Sequence, residues 1–264
     1  MDQAANGKLP KLTAEEEFYH EIEMRDGFMS RLKIHKPASS EPGPLIVLCF
    51  GGGFVGGTVD QLTRTARALK TLFGATVVNI SYRLAPEYKF PFAQHDTWDS
   101  MKWIASNATG SLLSSDPTKG FLMGGVSAGG ALTAAFSRLF QEEPIAYPLT
   151  GQWLSIPAVM DISTVPEKYK DYHISSEQFA GGAFFSRKTR EWLANLVEPD
   201  VHSPLRYAIS SKTAVKDQPK TYFQVDGMDP LRDDGLIYEE VLKEAGVETK
   251  IDVYPGCPHG HWAG

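Results

Sequence analysis

Residues 124–130 read Gly124-Gly125-Val126-Ser127-Ala128-Gly129-Gly130, and this stretch decides the fold of the chain. It follows the apolar run 120–123 and precedes a helix-like run that begins at Ala131. A G-x-S-x-G pentapeptide between a strand and a helix is typical of a nucleophile elbow, because the flanking glycines permit a turn so tight that the serine side chain projects above the sheet. The pattern predicts Ser127 as a nucleophile. Glycine and serine are also common turn residues, so the prediction depends on a base, an acid and an oxyanion site elsewhere in the chain.

Runs typical of buried strands alternate with helical runs along most of the chain. The strand-like runs are 45–50, 75–81, 121–124, 149–156, 221–225 and 248–254, and the helical runs are 60–73, 91–105, 128–141 and 231–245. Two further runs, 17–24 and 28–36, flank an Asp-Gly turn and predict an antiparallel edge hairpin. The alternation predicts an α/β fold with a mostly parallel central sheet and helices on both faces. We expect one domain over residues 1–264, with a small cap-like insertion at about 157–216, where no strand alternation is visible.

Charge and composition exclude several classes of function. The formal net charge of -6, with no cluster of lysine and arginine, gives no positive field for phosphate backbones or anionic lipid, so neither nucleic acid nor a membrane is expected as a partner. The N-terminal residues have no basic and apolar signal pattern, and no apolar stretch is long enough to span a bilayer. We therefore expect a cytoplasmic protein. The two cysteines, Cys49 and Cys257, do not form a disulfide framework and are expected to be reduced.

An acid and a base follow Ser127 in the order that this architecture requires. A serine hydroxyl needs a base to accept its proton and an acid to hold that base in the correct tautomer. In strand-to-helix elbows of this kind the order along the chain is Ser, then Asp or Glu, then His. Asp229 comes just after the strand-like run 221–225, and His259 comes just after the last one. We predict Asp229 and His259 as the partners of Ser127.

Neighbouring residues offer rivals for both roles. Asp226, Asp233 and Asp234 are alternative carboxylates, although the last two fall in the first turn of a helix, where they complement the helix dipole. His261 is the rival base. His259 and His261 together also suggest a metal pair, but two ligands with no third make a weak site, so we expect no metal and no organic cofactor.

The glycine run after the first buried strand predicts the oxyanion site. Gly51 and Gly52 supply backbone N–H groups that no side chain obstructs, and Ala128, directly after the serine, supplies another. A flexible linker is the alternative interpretation of the glycine run. It fits poorly with a position at the end of a buried strand, so we predict Gly51, Gly52 and Ala128 as the oxyanion hole.

Five ordered motifs together resemble the hormone-sensitive-lipase-like (family IV) carboxylesterases of the α/β-hydrolase superfamily. They are Gly-Gly-Gly-Phe at 51–54, Tyr-Arg-Leu-Ala-Pro-Glu at 82–87, Gly-Val-Ser-Ala-Gly-Gly at 125–130, Asp-Pro-Leu-Arg-Asp-Asp-Gly at 229–235 and Pro-His-Gly at 258–260. The resemblance implies a carboxylic-ester hydrolase with Ser127 as nucleophile, His259 as base and Asp229 as its orienting acid. It also implies a supporting, non-catalytic role for the segment 82–87.

The chain departs from that family at positions that bear on the site. The family usually has His where this chain has Phe50 and Asp where it has Val126, so polar contacts of the oxyanion loop and the elbow are lost. Its members also usually carry a longer N-terminal helical cap. The pocket is therefore expected to be walled by the insertion at about 157–216, whose apolar residues are Met160, Phe179, Phe184, Phe185 and Trp192. We predict Phe54, Phe184 and Phe185 as substrate-binding residues of an open, apolar-walled site, the alternative being that the aromatic residues form the insertion's own core.

Three functions remain open from the sequence. The first is hydrolysis of small or medium carboxylic esters through an acyl-enzyme, by a protein that forms a monomer or a homodimer. The second keeps the scaffold but acts on a specialised metabolite as a thioesterase, lactonase, cyclase or dehydratase, which the altered Phe50 and Val126 motivate. The third is a non-catalytic small-molecule receptor, which the three retained triad residues disfavour.

Overall fold

A computed structural model describes residues 16–39, 41–182, 185–210 and 217–261 of the chain. In these residues eight strands form one sheet, in the spatial order β1-β2-β4-β3-β5-β6-β7-β8. The strands are β1 (Glu17–Glu23), β2 (Met29–His35), β3 (Leu45–Cys49), β4 (Thr76–Ile80), β5 (Phe121–Val126), β6 (Gly151–Ser155), β7 (Lys220–Asp226) and β8 (Thr249–Tyr254). Strands β1, β2 and β4 pair antiparallel, and every other pair in the sheet is parallel. The predicted edge hairpin and the mostly parallel sheet are both confirmed.

The helices follow the strands as the alternation predicts. They are α1 (Thr63–Phe73), α2 (Phe92–Asn107), α3 (Ala128–Glu142), α4 (Ser175–Gln178), α5 (Arg187–Val197) and α6 (Arg232–Glu244). The helix expected from residue 60 begins three residues later. Asp60 accepts hydrogen bonds from Lys33 and Tyr19, and Gln61 bonds the backbone of Gly51, so both residues belong to a turn that reaches back over the strand ends.

The central strand β3 shows how the core is divided. Val47 and Cys49 pack in one cluster with buried residues of α2 and α3, whereas Ile46 and Leu48 pack on the other face with Leu62 and Ala66 beside and within α1. Successive side chains of a strand point to opposite faces, so a strand covered on both sides must be apolar throughout. All five residues of β3 are buried, which explains its continuous apolar run.

The segment between β6 and β7 carries short helices and lies over the ends of the strands. Besides α4 and α5 it contains 3-10 turns at Ile162–Thr164, Glu167–Tyr172 and Ala208–Ser210. We call residues 157–210, in their described part, the cap segment. Its treatment as an insertion within a single domain stays a prediction.

His35, at the end of β2, gives the fold a testable dependence on pH. Its side chain is fully buried, and burial lowers its pKa to about 4 from the ordinary 6.5. Between these two pH values the unfolded chain binds a proton that the folded chain does not, so the stability falls as the pH drops from 6.5 towards 4. By this linkage the loss at pH 4.5 is about 2.5 kcal/mol.

We expect His35→Phe to remove most of that acid-side loss. The measurement is urea unfolding of the wild type and the variant at pH 7 and pH 4.5. The neighbouring Glu17 has a pKa lowered to about 2, since its bonds to Arg67 and Lys33 outweigh the effect of its burial; its own loss of stability therefore belongs to a lower pH window. An unchanged difference between the two pH values in the variant would show that His35 does not cause it.

Candidate active site

Ser127 sits on a strained turn between β5 and α3. Its backbone has φ 54° and ψ -114°, a conformation that a residue with a side chain rarely adopts. The neighbouring glycines make the turn possible: a Cβ on Gly125 would lie 2.1 Å from the carbonyl oxygen of Gly129, and a Cβ on Gly129 would lie 2.1 Å from that of Cys49. Ser127 is 7% exposed and projects at the carboxyl end of a central parallel strand, where sites of such sheets form.

The structure brings together the three residues predicted as a catalytic set. The Oγ of Ser127 lies 3.0 Å from Nε2 of His259, and Nδ1 of His259 lies 2.7 Å from Oδ2 of Asp229. Asp229 is fully buried, and its other oxygen, Oδ1, accepts a hydrogen bond of 2.8 Å from the amide of Leu231. Every oxygen of the buried carboxylate therefore has a partner, and the histidine ring is held with Nε2 towards the serine.

The same turn that carries Asp229 also positions the histidine loop. The amide of Met228 donates to the carbonyl of Cys257 at 3.0 Å, and the amide of Gly227 donates to Tyr254 at 2.9 Å. These bonds join the turn after β7 to the loop after β8. Asp229 and His259 are therefore aligned by backbone contacts as well as by their own hydrogen bond.

His261 and Asp226 form a second histidine–carboxylate pair beside the first. The Nδ1 of His261 lies 2.8 Å from Oδ1 and 2.9 Å from Oδ2 of Asp226. Burial raises the pKa of Asp226, although the bond to His261 partly opposes this. The two rivals considered from the sequence thus pair with each other, and among the described residues the hydroxyl of Ser127 contacts the ring of His259 and not that of His261.

The glycine loop differs from the sequence prediction at Gly51. Its amide donates a 2.7 Å hydrogen bond to Oε1 of Gln61, so it is not available to an oxyanion. In the described part of the chain the amides of Gly52, Gly53 and Ala128 have no such acceptor, and Gly53 lines the same cavity as Ser127 and Ala128. Gly51 is therefore corrected: a side chain there would clash with the carbonyl of Val126, and its role is close packing against the elbow.

Apolar packing occupies both positions where the resemblance expects a polar side chain. The ring of Phe50 stacks on Tyr82 with centroids 4.1 Å apart, and the hydroxyl of Tyr82 donates to the Phe50 carbonyl at 2.8 Å. Val126 is buried in the cluster that also contains Leu48 and Ile156. Arg83 binds the buried Asp96 of α2 through two side-chain nitrogens, and the amide of Ala85 donates to the Phe54 carbonyl at 2.8 Å, so the segment 82–87 joins α2 to the glycine loop.

A cavity of about 440 Å³ opens in front of Ser127, beneath the cap segment. Phe54, Met160 and Phe185 line it, and the ring of Phe185 stacks on the ring of His259 with centroids 4.3 Å apart. Phe184, the third residue predicted to bind substrate, lies outside the described residues. Trp192 is 55% exposed and, like Phe179, does not line the cavity. The binding roles of Phe54 and Phe185 stay predictions.

The cavity wall is more polar than the sequence analysis expects. Its lining includes Arg187, Arg190 and Arg206 together with His173 and the carboxylates Asp161, Glu177, Glu191 and Asp234. Charged side chains therefore stand among the apolar ones in the wall, and the expectation of an apolar-walled site stays a prediction. These residues are missing from the sequence prediction because no helix is predicted within the cap segment, whereas α5 contributes Arg187, Arg190 and Glu191 to the cavity wall.

Two carboxylates in the first turn of α6 anchor the cap segment. Asp234 accepts hydrogen bonds from the amides of Val159 and Met160 and lies 2.9 Å from Nε2 of His173. Asp233 accepts hydrogen bonds from two further cap amides, those of residues 174 and 175. Burial alone lowers the pKa of His173, but the bond to Asp234 and the charges of both carboxylates raise it overall. Asp233 and Asp234 therefore hold the cap segment in place, in addition to complementing the helix dipole as expected from the sequence.

Comparison with known proteins agrees with this geometry. A family profile for the alpha/beta hydrolase fold matches residues 46–263. The chain is 35% identical over 243 residues to an AB hydrolase superfamily protein of Schizosaccharomyces pombe, covering 91% of this chain and 71% of that protein. It is 33% identical over 251 residues to the versiconal hemiacetal acetate esterase of Dothistroma septosporum, covering 93% of this chain and 75% of the relative.

Solved structures show the same relationship. Vibralactone cyclase has a TM-score of 0.88 and 31% identity, over 96% of this chain and 75% of that one. An esterase of Pyrobaculum calidifontis has a TM-score of 0.81 and 30% identity, over 93% of this chain and 78% of that one. The chain belongs to the alpha/beta hydrolase fold family, in its hormone-sensitive-lipase-like branch. Within its described residues, no helix combines the length and the apolar character needed to cross a membrane.

Proposed function

We propose that the protein hydrolyses small or medium carboxylic esters through an acyl-enzyme, with Ser127 as nucleophile. The observation that carries the proposal is the unbroken chain of contacts from the Ser127 hydroxyl through His259 to Asp229, at 3.0 Å and 2.7 Å, on a strained elbow. Relatives named as esterases, among them carboxylesterase NlhH of Mycobacterium tuberculosis at 29% identity, support the reaction class.

The geometry suits a two-step acyl transfer. The Oγ of Ser127 attacks the ester carbonyl carbon while Nε2 of His259 accepts the hydroxyl proton. The N–H groups of Gly52, Gly53 and Ala128 stabilise the oxyanion of the tetrahedral intermediate. As the intermediate collapses, His259 returns the proton to the leaving alcohol. A water molecule, deprotonated by the same Nε2, then attacks the acyl-enzyme and releases the acid.

A second candidate is intramolecular or specialised acyl chemistry on a metabolite. It is supported by the similarity to vibralactone cyclase, with a TM-score of 0.88, and by the polar lining of the cavity. The triad performs the same acylation in this case. The acyl group is then transferred to a hydroxyl of the substrate itself instead of to water.

The test is a graded series of p-nitrophenyl esters from short to long acyl chains, run beside labelling with a fluorophosphonate and mass spectrometry of the labelled peptide. Turnover together with a label on Ser127 would support ester hydrolysis and give the acyl preference. A label on Ser127 without turnover of any ester would favour the specialised acyl chemistry. Neither turnover nor label would contradict both proposals and favour the receptor.

The assembly and the location of the protein are also proposals. A homodimer is supported by a partly open face of the sheet opposite α3, where Leu122, Trp153 and Tyr222 line a second, largely apolar cavity of about 530 Å³. Light scattering after size-exclusion chromatography measures the mass directly. We also propose a cytoplasmic location, which cell fractionation tests.

A further inference from the structure

Two arginines of the cap segment line the cavity without an acidic partner. Arg187 pairs with Glu177, but no carboxylate of the described residues forms an ion pair with Arg190 or Arg206. Both guanidinium groups share the cavity with Ser127. Arginine keeps its charge at neutral pH, so two positive charges face the space in front of the nucleophile.

Arg190, in α5, is held in place by neutral groups. Its Nη1 and Nη2 donate to Oγ and to the carbonyl of Ser176, at 2.7 Å and 2.9 Å, while its buried Nε has no acceptor among the described residues. These bonds fix the direction of the guanidinium but do not neutralise it. Burial correspondingly lowers the pKa of Arg190.

Arg206 is held by aromatic rings. Its guanidinium carbon lies 4.0 Å from the ring centroid of Tyr207 and 5.0 Å from that of Phe54. Within the part of the chain that the structure describes, it makes one long hydrogen bond of 3.4 Å, from Nη1 to the carbonyl of Ala158, and its buried Nε has no acceptor. The guanidinium is therefore oriented, and most of its donors remain unpaired.

The acidic residues of the wall, within the described part of the chain, form no ion pair with either of these two arginines. Asp234 is bound by His173 and by two backbone amides, and Asp161 accepts the amide and the hydroxyl of Ser163 in its own turn. Glu191 is exposed. Buried polar groups in native proteins are paired, so unpaired guanidinium donors in the wall of the Ser127 cavity indicate that a ligand supplies the acceptors.

Resting on the proposed esterase reaction, we propose that the natural substrate is an ester that carries a carboxylate, bound in the cap cavity by Arg190 and Arg206. A carboxylate offers two oxygens in the geometry that a guanidinium fork matches. The net charge of the chain, -6, opposes the approach of an anion. Without a carboxylate-binding subsite the protein would therefore favour neutral esters. A preference for the anionic ester would accordingly indicate that such a subsite exists.

The experiment compares esters that differ in one carboxylate. One pair is mono-p-nitrophenyl adipate and p-nitrophenyl hexanoate, with the charge on the acyl side. The other is (4-acetoxyphenyl)acetate and 4-ethylphenyl acetate, with the charge on the alcohol side and a methylene group that keeps the two phenol leaving groups similar. For each pair, the ratio of kcat/KM for the anionic ester to that for the neutral ester is measured in the wild type, Arg190→Gln, Arg206→Gln and Arg190→Lys.

We expect the wild-type ratio to exceed one for at least one pair and to fall about tenfold in each glutamine variant, since a charge-assisted hydrogen bond is lost. Arg190→Lys, which retains the charge, should keep part of the preference. Lys188→Gln is the matched control, because it removes one positive charge from the exposed side of the same helix and should leave the ratio unchanged. Melting temperatures identify any variant that has lost its fold.

A wild-type ratio below one for both pairs, or a ratio equal in the wild type and the glutamine variants, would overturn the inference while leaving the esterase proposal standing. If no ester is hydrolysed, the esterase proposal fails. Titration calorimetry then tests separately whether Arg190 and Arg206 bind a carboxylate. In Ser127→Ala, monomethyl adipate should bind more tightly than methyl hexanoate, and the difference should disappear when Arg190→Gln is added. Equal binding of the two esters by Ser127→Ala would reject the subsite.

Discussion

Replacing Ser127 with alanine is expected to lower kcat for ester hydrolysis by about 10⁴-fold or more. The substitution removes the atom that forms the acyl-enzyme, whereas His259 and Asp229 remain in contact with each other at 2.7 Å. Residual hydrolysis would come from the oxyanion donors and from substrate binding alone. The rate is measured with a p-nitrophenyl ester that the wild type hydrolyses readily.

Ser137→Ala is the matched control for this variant. Ser137 lies in α3, the helix that begins directly after Ser127, and its hydroxyl is buried with no hydrogen-bond partner in the part of the chain that the structure describes. Its removal should leave kcat unchanged. Full activity in Ser127→Ala would exclude Ser127 as the nucleophile, whatever the geometry of the elbow.

Asp229→Asn is expected to lower kcat by about 10³-fold to 10⁴-fold. An asparagine amide preserves the shape of the side chain but does not stabilise the imidazolium that forms when His259 accepts the serine proton. It also permits the wrong tautomer of the ring, with the proton on Nε2. The measurement is kcat in the wild type and the variant with the same ester.

Asp226→Asn is the matched control for Asp229→Asn, because Asp226 also binds the Nδ1 of a histidine, at 2.9 Å. The histidine is His261, which does not contact the Ser127 hydroxyl among the described residues. We expect Asp226→Asn to change kcat by less than about tenfold, in contrast to Asp229→Asn. Equal losses in the two variants would mean that the second pair takes part in the proton transfer and that our assignment of roles is incomplete.

The sequence predicts the fold and the three aligned residues well because their signals are local. The elbow at Ser127 requires small residues at fixed offsets, and Asp229 and His259 each follow a strand whose carboxyl end must lie at the same edge of a parallel sheet. Both constraints can be recognised from the order and spacing of residues in the sequence. The mostly parallel sheet follows from the same alternation and is confirmed.

The features that the sequence does not predict depend on contacts between distant segments. A glycine run indicates backbone amides without hydrogen-bond partners. The amide of Gly51 nevertheless donates to the side chain of Gln61, because the turn before α1 folds back over β3. Similarly, the acidic pair at the start of α6 satisfies a general rule for helix ends, whereas its bonds to residues 159, 160, 174 and 175 arise only in the folded protein. The polar wall of the cavity belongs to the same class of features.

The anchoring of the cap segment at α6 has a consequence for how the protein admits a substrate. The carboxylates that hold the cap follow Asp229 by only four and five residues, and the intervening Leu231 amide binds Asp229 itself. The anchor of the cap segment and Asp229, the partner of His259, therefore share one short piece of backbone. We expect any change that breaks the bonds of Asp233 or Asp234 also to disturb the alignment of His259, because the turn that carries Asp229 lies directly before them. Variants designed to widen the entrance should accordingly lose turnover rate as they gain access.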